Sequence, residues 1–253
     1  MRNSSPFLAL SLLSAFIYTT SCAQHDDKKT SVSSETWEPQ PRIITPGNNP
    51  GNAPSDALVL FDGANLDQWV SVIDGSAPKW TIKDGVFTVA PGTKDIVTKK
   101  EFNDFQLHVE WRSPAEVKAD KTGQDRGNSG IFLHGQYEVQ VLDSYDNKTY
   151  VNGQAGAIYK QHIPLVNASK KPGEWQVYEI IFTAPHFNKE GRVIVPAYVT
   201  VIHNGALAIN HAAVWGSTEN VGFPIYKTYE KGPIRLQDHQ SLVSYRNIWI
   251  RDL

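Results

Sequence analysis

Two carboxylates and an amide fall close together in the stretch Tyr137-Glu-Val-Gln-Val-Leu-Asp143. Glu138 and Gln140 are two residues apart, the spacing that puts side chains on one surface of a strand while Val139 and Val141 take the other. Asp143 is out of phase with them and joins their surface only if a bulge after Gln140, near Leu142, adds a residue. Acids held a few ångströms apart in partial burial push their pKa values apart, which suits general acid and base work on a sugar. A solvated polar face on an edge strand is the competing reading of the same pattern. Further candidates lie nearby in type if not in sequence. Arg126 and Asn128 sit in a polar loop that bonds either a ligand or its own backbone, His134 closes an apolar run, and Gln237 and His239 end a later strand in a polar cluster. Histidines are spread without a tight ligand spacing, and neither a phosphate-type Gly-rich loop nor a Gly-x-Ser-x-Gly elbow occurs, so no metal and no cofactor is read from the chain.

The elements that must position these groups are strands. Ile131 to His134 and Tyr137 to Leu142 read as a hairpin closed by a tight turn at Gly135-Gln136, the hairpin about which the chain is organised. Short β-rich runs extend on both sides, among them Leu58 to Phe61, Val86 to Val89, Phe105 to Trp111, Ala157 to Tyr159, Gln176 to Thr183, Tyr198 to His203 and Tyr245 to Arg251. Asp84-Gly85 and Asn204-Gly205 stand between alternating runs as two-residue hairpin turns. Helix signals are nearly absent. The expected fold is all-β, an antiparallel sandwich or jelly roll with a single large core.

Ahead of that fold lie two segments of other kinds. Residues 1–22 read as an export signal: Arg2, an apolar run from Phe7 to Tyr18 too short to span a membrane, then Thr19-Thr20-Ser21-Cys22. The single cysteine directly after such a signal resembles a bacterial lipoprotein site, which makes Cys22 the expected lipidation point and the protein an exported, membrane-anchored one, periplasmic or at the outer membrane; ordinary secretion with cleavage after Ala23 is the alternative. Residues 23–55, rich in Ser, Lys, Pro, Asn and Gly, read as a flexible tether. With one cysteine in the whole chain, the domain from Asp56 is stabilised by packing and not by disulfides. A net charge of -2 gives no basic field for nucleic acid, while seven Trp and ten Tyr suit a sugar partner and a β core equally.

From about Asp56 to Leu253 the chain resembles the 3-keto-disaccharide hydrolase family. The carriers are Leu-Phe-Asp-Gly from Leu60 with Trp69, Gly127-Asn-Ser-Gly-Ile131, Tyr137 to Asp143, and Gly153 to Tyr159. They continue with Lys171-Pro-Gly-Glu-Trp175, His203-Asn-Gly205, Gly232 to His239 and Arg246-Asn-Ile-Trp249. Gln240 departs from the pattern, standing where Gly commonly follows the His of Leu-Gln-Asp-His. The resemblance implies a concanavalin A-like jelly roll of two antiparallel sheets, similar to family 16 glucanases but with an amide, Gln140, in the middle of the acidic strand. It also implies cleavage of 3-keto glycosides by C2 proton abstraction, elimination and hydration. Within it Glu138, Asp143 and His239 are the expected catalytic groups, with Arg126, Asn128, Gln140, Gln237 and His134 binding the carbohydrate. A non-catalytic carbohydrate-binding module and a family 16-like endo-glucanase are the other functions open to the fold.

Overall fold

The computed structural model describes residues 34–253, so Cys22 and the leader lie outside the described residues. One compact unit runs from Ile44 to Leu253. In chain order its strands are β1 (Leu58–Phe61), β2 (Trp69–Ser71), β3 (Thr81–Lys83), β4 (Val86–Thr88), β5 (Ile96–Thr98), β6 (Phe105–Arg112), β7 (Ser129–Leu133) and β8 (Tyr137–Val141). They are followed by β9 (Gln176–Thr183), β10 (His186–Phe187), β11 (Val193–Val195), β12 (Tyr198–His203), β13 (Ala206–Ala213), β14 (Arg235–Leu236) and β15 (Ser244–Asp252). The larger sheet has the order β13-β12-β9-β6-β15-β4-β3, with β1 also paired to β15, and the smaller has the order β2-β5-β14-β7-β8. All pairings are antiparallel, the two sheets form a jelly-roll sandwich, and β10 and β11 make a separate ribbon.

Alternation along β6 shows why the sandwich forms. Phe105, Leu107, Val109 and Trp111 are buried in the core, whereas Gln106, Glu110 and Arg112 stay partly exposed on the outer face. Ile131, Val139, Val141 and Leu236 of the smaller sheet belong to the same core, and each such side chain contributes roughly 1.5–3 kcal/mol by leaving water. His108 breaks the alternation because it stacks on Trp249 at 5.2 Å and is bonded to Glu179 at 2.5 Å. Two bonds span the core at the organising hairpin: the Tyr178 hydroxyl, from β9, donates to the carbonyl of Gln140 at 2.8 Å, and the hydroxyls of Ser129 and Tyr245 meet at 2.7 Å.

The hairpin itself departs from expectation in its turn and in its exposure. The left-handed residues are His134 (φ 52) and Gly135 (φ 66), so the turn is centred one residue earlier than Gly135-Gln136, and Gln136 N–H closes it on the Leu133 carbonyl at 3.0 Å. All residues of β7 and β8 are buried on both faces. Although β8 is last in its sheet, its free edge is capped: Gln140 N–H donates to Ala157 O at 2.9 Å, Tyr159 N–H to Glu138 O at 3.0 Å, and Glu138 N–H to the Thr218 hydroxyl at 2.9 Å. Residues 157–159, expected as a strand, are this cover, joined to β8 by an isolated bridge at Ile158. Covering the edge removes the open ladder that would otherwise template pairing, and it makes Glu138 and Gln140 interior groups.

Residues 44–55 are also more ordered than a tether. The Gly51 carbonyl accepts from Trp249 Nε1 at 2.8 Å and from Asn247 Nδ2 at 2.9 Å, and Ser55 N–H donates to Thr45 O at 2.9 Å. Their Gly, Asn and Pro content, read as flexible from composition, instead supplies turns and one carbonyl, that of Gly51, to β15.

Candidate active site

Three neighbouring strands build the floor of the site. Arg235 of β14 lies directly opposite Phe132 of β7, and Phe132 lies opposite Glu138 of β8, so a cation, a ring and a carboxyl form one row across the smaller sheet. The next row toward the solvent loops holds Gly130 opposite Gln140, with Gln237 N–H donating to the Gly130 carbonyl at 3.0 Å. Gly130 is needed for space and not for its backbone angles. A Cβ there would stand 2.5 Å from Glu138 Oε1 and 2.8 Å from Phe132 Cε2. Above this floor is a cavity of about 350 Å³, in which Glu138, Gln140, Asn128, Gln237 and His239 meet Arg235. Tyr159, Thr218 and Asn220 close it from the covering loops.

Glu138 is 5 % exposed. Desolvation raises its carboxyl pKa from 4.5 to about 8; Arg235 and Lys160 pull it down and Asp95 pushes it up, and neither cation overcomes burial. Gln140 responds to that proton. The atom of its amide nearest Glu138 Oε1 is 3.2 Å away. When Glu138 is neutral it can donate to the Gln140 oxygen, with the amide nitrogen bonded to Gln124 Oε1 at 2.9 Å. When Glu138 is charged, the nitrogen must turn inward, where it also reaches the Ser129 carbonyl at 3.1 Å. Charged Glu138 is satisfied only by the inward nitrogen, whereas neutral Glu138 can bond either end of the amide.

Arg235 is held from two sides. Its guanidinium lies 3.7 Å over the Phe132 ring, and Nη1 bonds Asp95 Oδ2 at 3.0 Å, while Asp95 Oδ1 accepts from Asp238 N–H at 2.9 Å. Two buried polar atoms of the cavity-lining residues have no protein partner: Arg235 Nε, a donor, and Gln237 Oε1, an acceptor. Buried polar atoms are usually paired, so these two are candidates for bonding a polar ligand. Arg235 was missed from the sequence because its role rests on cross-strand register; the signal was its place two residues before Gln237 on the same strand face.

Several expected groups lie elsewhere. Asp143 does not share the cavity with Glu138. No register shift occurs in the β7–β8 ladder, the strand stops at Val141, and Asp143 is buried with its Oδ2 2.6 Å from Arg126 Nε. Asp143 and Arg126 together border a second cavity of about 530 Å³. The Arg126 fork also holds the loop, with Nη2 donating to Tyr145 O at 2.8 Å. The bulge read from phase was unnecessary because a cation, rather than the other carboxylate, satisfies Asp143. His134 is a turn residue packed 4.7 Å from the Phe182 ring, with Nε2 3.0 Å from Asn103 O. Burial lowers its pKa and keeps it neutral, and it lines neither cavity. Asn128 is buried at the cavity edge with Nδ2 donating to Gln124 O at 2.7 Å, and His239 stands exposed at the mouth. Among the described residues no three His, Cys, Asp or Glu side chains are grouped as metal ligands.

Comparison with known proteins places the chain in a family. Residues 56–251 match the 3-keto-alpha-glucoside-1,2-lyase-like domain family. Among solved structures, the chain is similar to a Parabacteroides distasonis protein provisionally described as a glycosyl hydrolase. The two are 54 % identical with a TM-score of 0.84, over 88 % of this chain and 97 % of that one. A second protein of that organism, described in the same way, is 24 % identical with a TM-score of 0.55 over 78 % of this chain and 94 % of the other, and at that identity it speaks for the fold alone. The comparison with curated proteins gave no match.

Proposed function

Because the chain belongs to the 3-keto-alpha-glucoside-1,2-lyase-like domain family, we propose that it cleaves the glycosidic bond of 3-keto glycosides by taking the proton at C2. The observation that carries this reading is the row Glu138, Phe132, Arg235, which sets a base and a cation at opposite ends of one enclosed polar floor. A ketone at C3 acidifies the C2 proton, so a carboxylate is a sufficient base. Raised to about 8 by burial, Glu138 is a stronger base than an ordinary carboxylate and is still partly ionised near neutrality.

In the first step Glu138 removes the C2 proton and the C–H electron pair becomes the enolate. The unpartnered Arg235 Nε donates to the enolate oxygen, and the unpartnered Gln237 Oε1 accepts from a sugar hydroxyl. Collapse of the enolate breaks the C1–O bond, and His239, at the mouth, gives a proton to the departing oxygen. Water then adds across the C1–C2 double bond, hydroxyl to C1 and proton to C2, so the net reaction is hydrolysis. Gln140 stabilises charged Glu138 by donating an amide N–H to its Oε1.

The test is a substrate panel. Purified protein is incubated with glucosides and with the same glucosides oxidised at C3, and the released sugars are separated chromatographically. Cleavage confined to the keto set supports the reading. Cleavage of unoxidised glucans, or binding of sugars without any release, overturns it.

A further inference from the structure

The second cavity, about 530 Å³ beside Asp143 and Arg126, is left unused by the reaction just described. It lies near the Glu138 cavity, on the far side of His239. A shallower hollow of about 330 Å³ shares Gln240 and Ser241 with the larger cavity and His239 with the Glu138 cavity, so a groove extends from His239 to the larger cavity. Its far part is lined by Pro91, Pro114, Ala115, Val117 and Leu242. Val117 is 38 % and Leu242 54 % exposed, an arrangement with apolar side chains on the walls of a concavity large enough for a ligand group. The charged floor beneath them is already spent, because Arg126 and Asp143 bond each other at 2.6 Å. Lysines and carboxylates, among them Lys118, Lys121, Glu116 and Asp125, bring both signs to the same lining and select neither an acid nor a base.

We infer that this groove is the leaving-group subsite and that it takes a bulky apolar aglycone. The inference rests on the proposed reaction, since it is that reaction which places C1 and its departing oxygen beside His239. The chemistry of the two cavities differs in the way the two halves of such a substrate do. The polar cavity offers a carboxyl, a guanidinium and amides to the oxidised sugar, whereas the groove offers Pro, Val and Leu side chains to a carbon skeleton. Lysines, carboxylates, Gln240 and Ser241 on the same lining also offer partners to hydroxyls, so a second sugar is the competing occupant that the test must exclude.

The experiment uses 3-keto glucosides of methanol and of cyclohexylmethanol, two primary alcohols with matched leaving-group chemistry, and the 3-keto disaccharide. Wild-type protein is expected to show a KM about 10–100-fold lower for the cyclohexylmethyl than for the methyl substrate, as the transfer of several CH₂ groups from water predicts, with kcat little changed. Leu242→Asp and Val117→Asp should abolish most of that gap by raising the KM for the cyclohexylmethyl substrate, with thermal unfolding confirming that both variants fold. Equal KM values for the two wild-type substrates, or a disaccharide preference insensitive to either variant, would overturn the inference while leaving the reaction standing. If no keto glycoside is cleaved the reaction is refuted, and calorimetric binding of the same pair then decides the groove: tighter binding of the cyclohexylmethyl compound, lost in Leu242→Asp, supports it, and equal binding overturns it.

Discussion

Replacing Glu138 by Gln separates what burial does for the reaction from what it does to stability. Burial lifts the carboxyl from 4.5 to about 8, so the fold disfavours the charged form by about 5 kcal/mol, at about 1.4 kcal/mol for each tenfold change in ionisation. The sign follows from proton counting. Between 4.5 and about 8 the native state keeps a proton that the unfolded chain has lost, so native stability falls as pH rises across that window and levels off above it. Glu138→Gln has no proton to lose. Relative to the wild type it should gain almost nothing near pH 4.5, about 2 kcal/mol near pH 6 and about 4–5 kcal/mol near pH 9. For a domain of this size the last figure corresponds to about 10 °C or more in Tm. The same variant should lose about 10²–10⁴-fold in kcat, because the amide fills the space but cannot carry the proton. Thermal unfolding followed by circular dichroism from pH 4.5 to 9 and steady-state kinetics on one preparation give both numbers. Parallel Tm curves for the two proteins would refute the buried, neutral Glu138, and undiminished turnover would remove it from the chemistry.

Further expectations follow from the same floor. Gly130→Ala puts a methyl 2.5 Å from Glu138 Oε1; the carboxyl must move, and kcat should fall at least tenfold with a Tm loss corresponding to about 1–3 kcal/mol of overpacking, so unchanged kinetics would show that the carboxyl position is not critical. Arg235→Gln removes the cation stacked on Phe132 and should lower kcat by about 10²–10³-fold with a smaller change in KM, whereas a loss confined to KM would make Arg235 a binding group only. We propose from the leader that Cys22 is lipidated, in which case the native protein sediments with membranes and Cys22→Ser is released or left unprocessed; identical fractionation of both would refute the anchor.

How much of this was legible in the sequence differs by level. Alternation in Phe105 to Arg112 and in Tyr137 to Val141 is a local property, and the strands it implied are present. Asp-Gly and Asn-Gly at 84–85 and 204–205 close hairpins as turn chemistry requires, each with two left-handed residues. The two-residue spacing of Glu138 and Gln140 placed them on one face, and both line the same cavity. What the sequence did not carry is what arrives from elsewhere in the chain. Nothing local says that residues 157–159 and Thr218 cover β8, and that cover makes Glu138 a buried acid and not a surface one. Asp143 was grouped with Glu138 on acidity and an assumed bulge, yet Arg126, seventeen residues back, claims it. Arg235 enters through register across β14, β7 and β8, which alternation in a single strand does not encode.

The central claim is that a base in this cavity breaks the C2–H bond of a 3-keto sugar. The most direct measurement is the fate of that hydrogen. Wild-type protein is given a 3-keto glycoside in D₂O, under mild conditions and with an enzyme-free control for spontaneous exchange, and both product and unreacted substrate are examined by NMR and mass spectrometry. Deuterium at C2 of the product, absent from the control and lost with Glu138→Gln, is the result predicted by proton abstraction, elimination and hydration. Product that retains its original hydrogen at C2 while the glycosidic bond is cleaved at the full rate would mean direct displacement at C1 and would contradict the account.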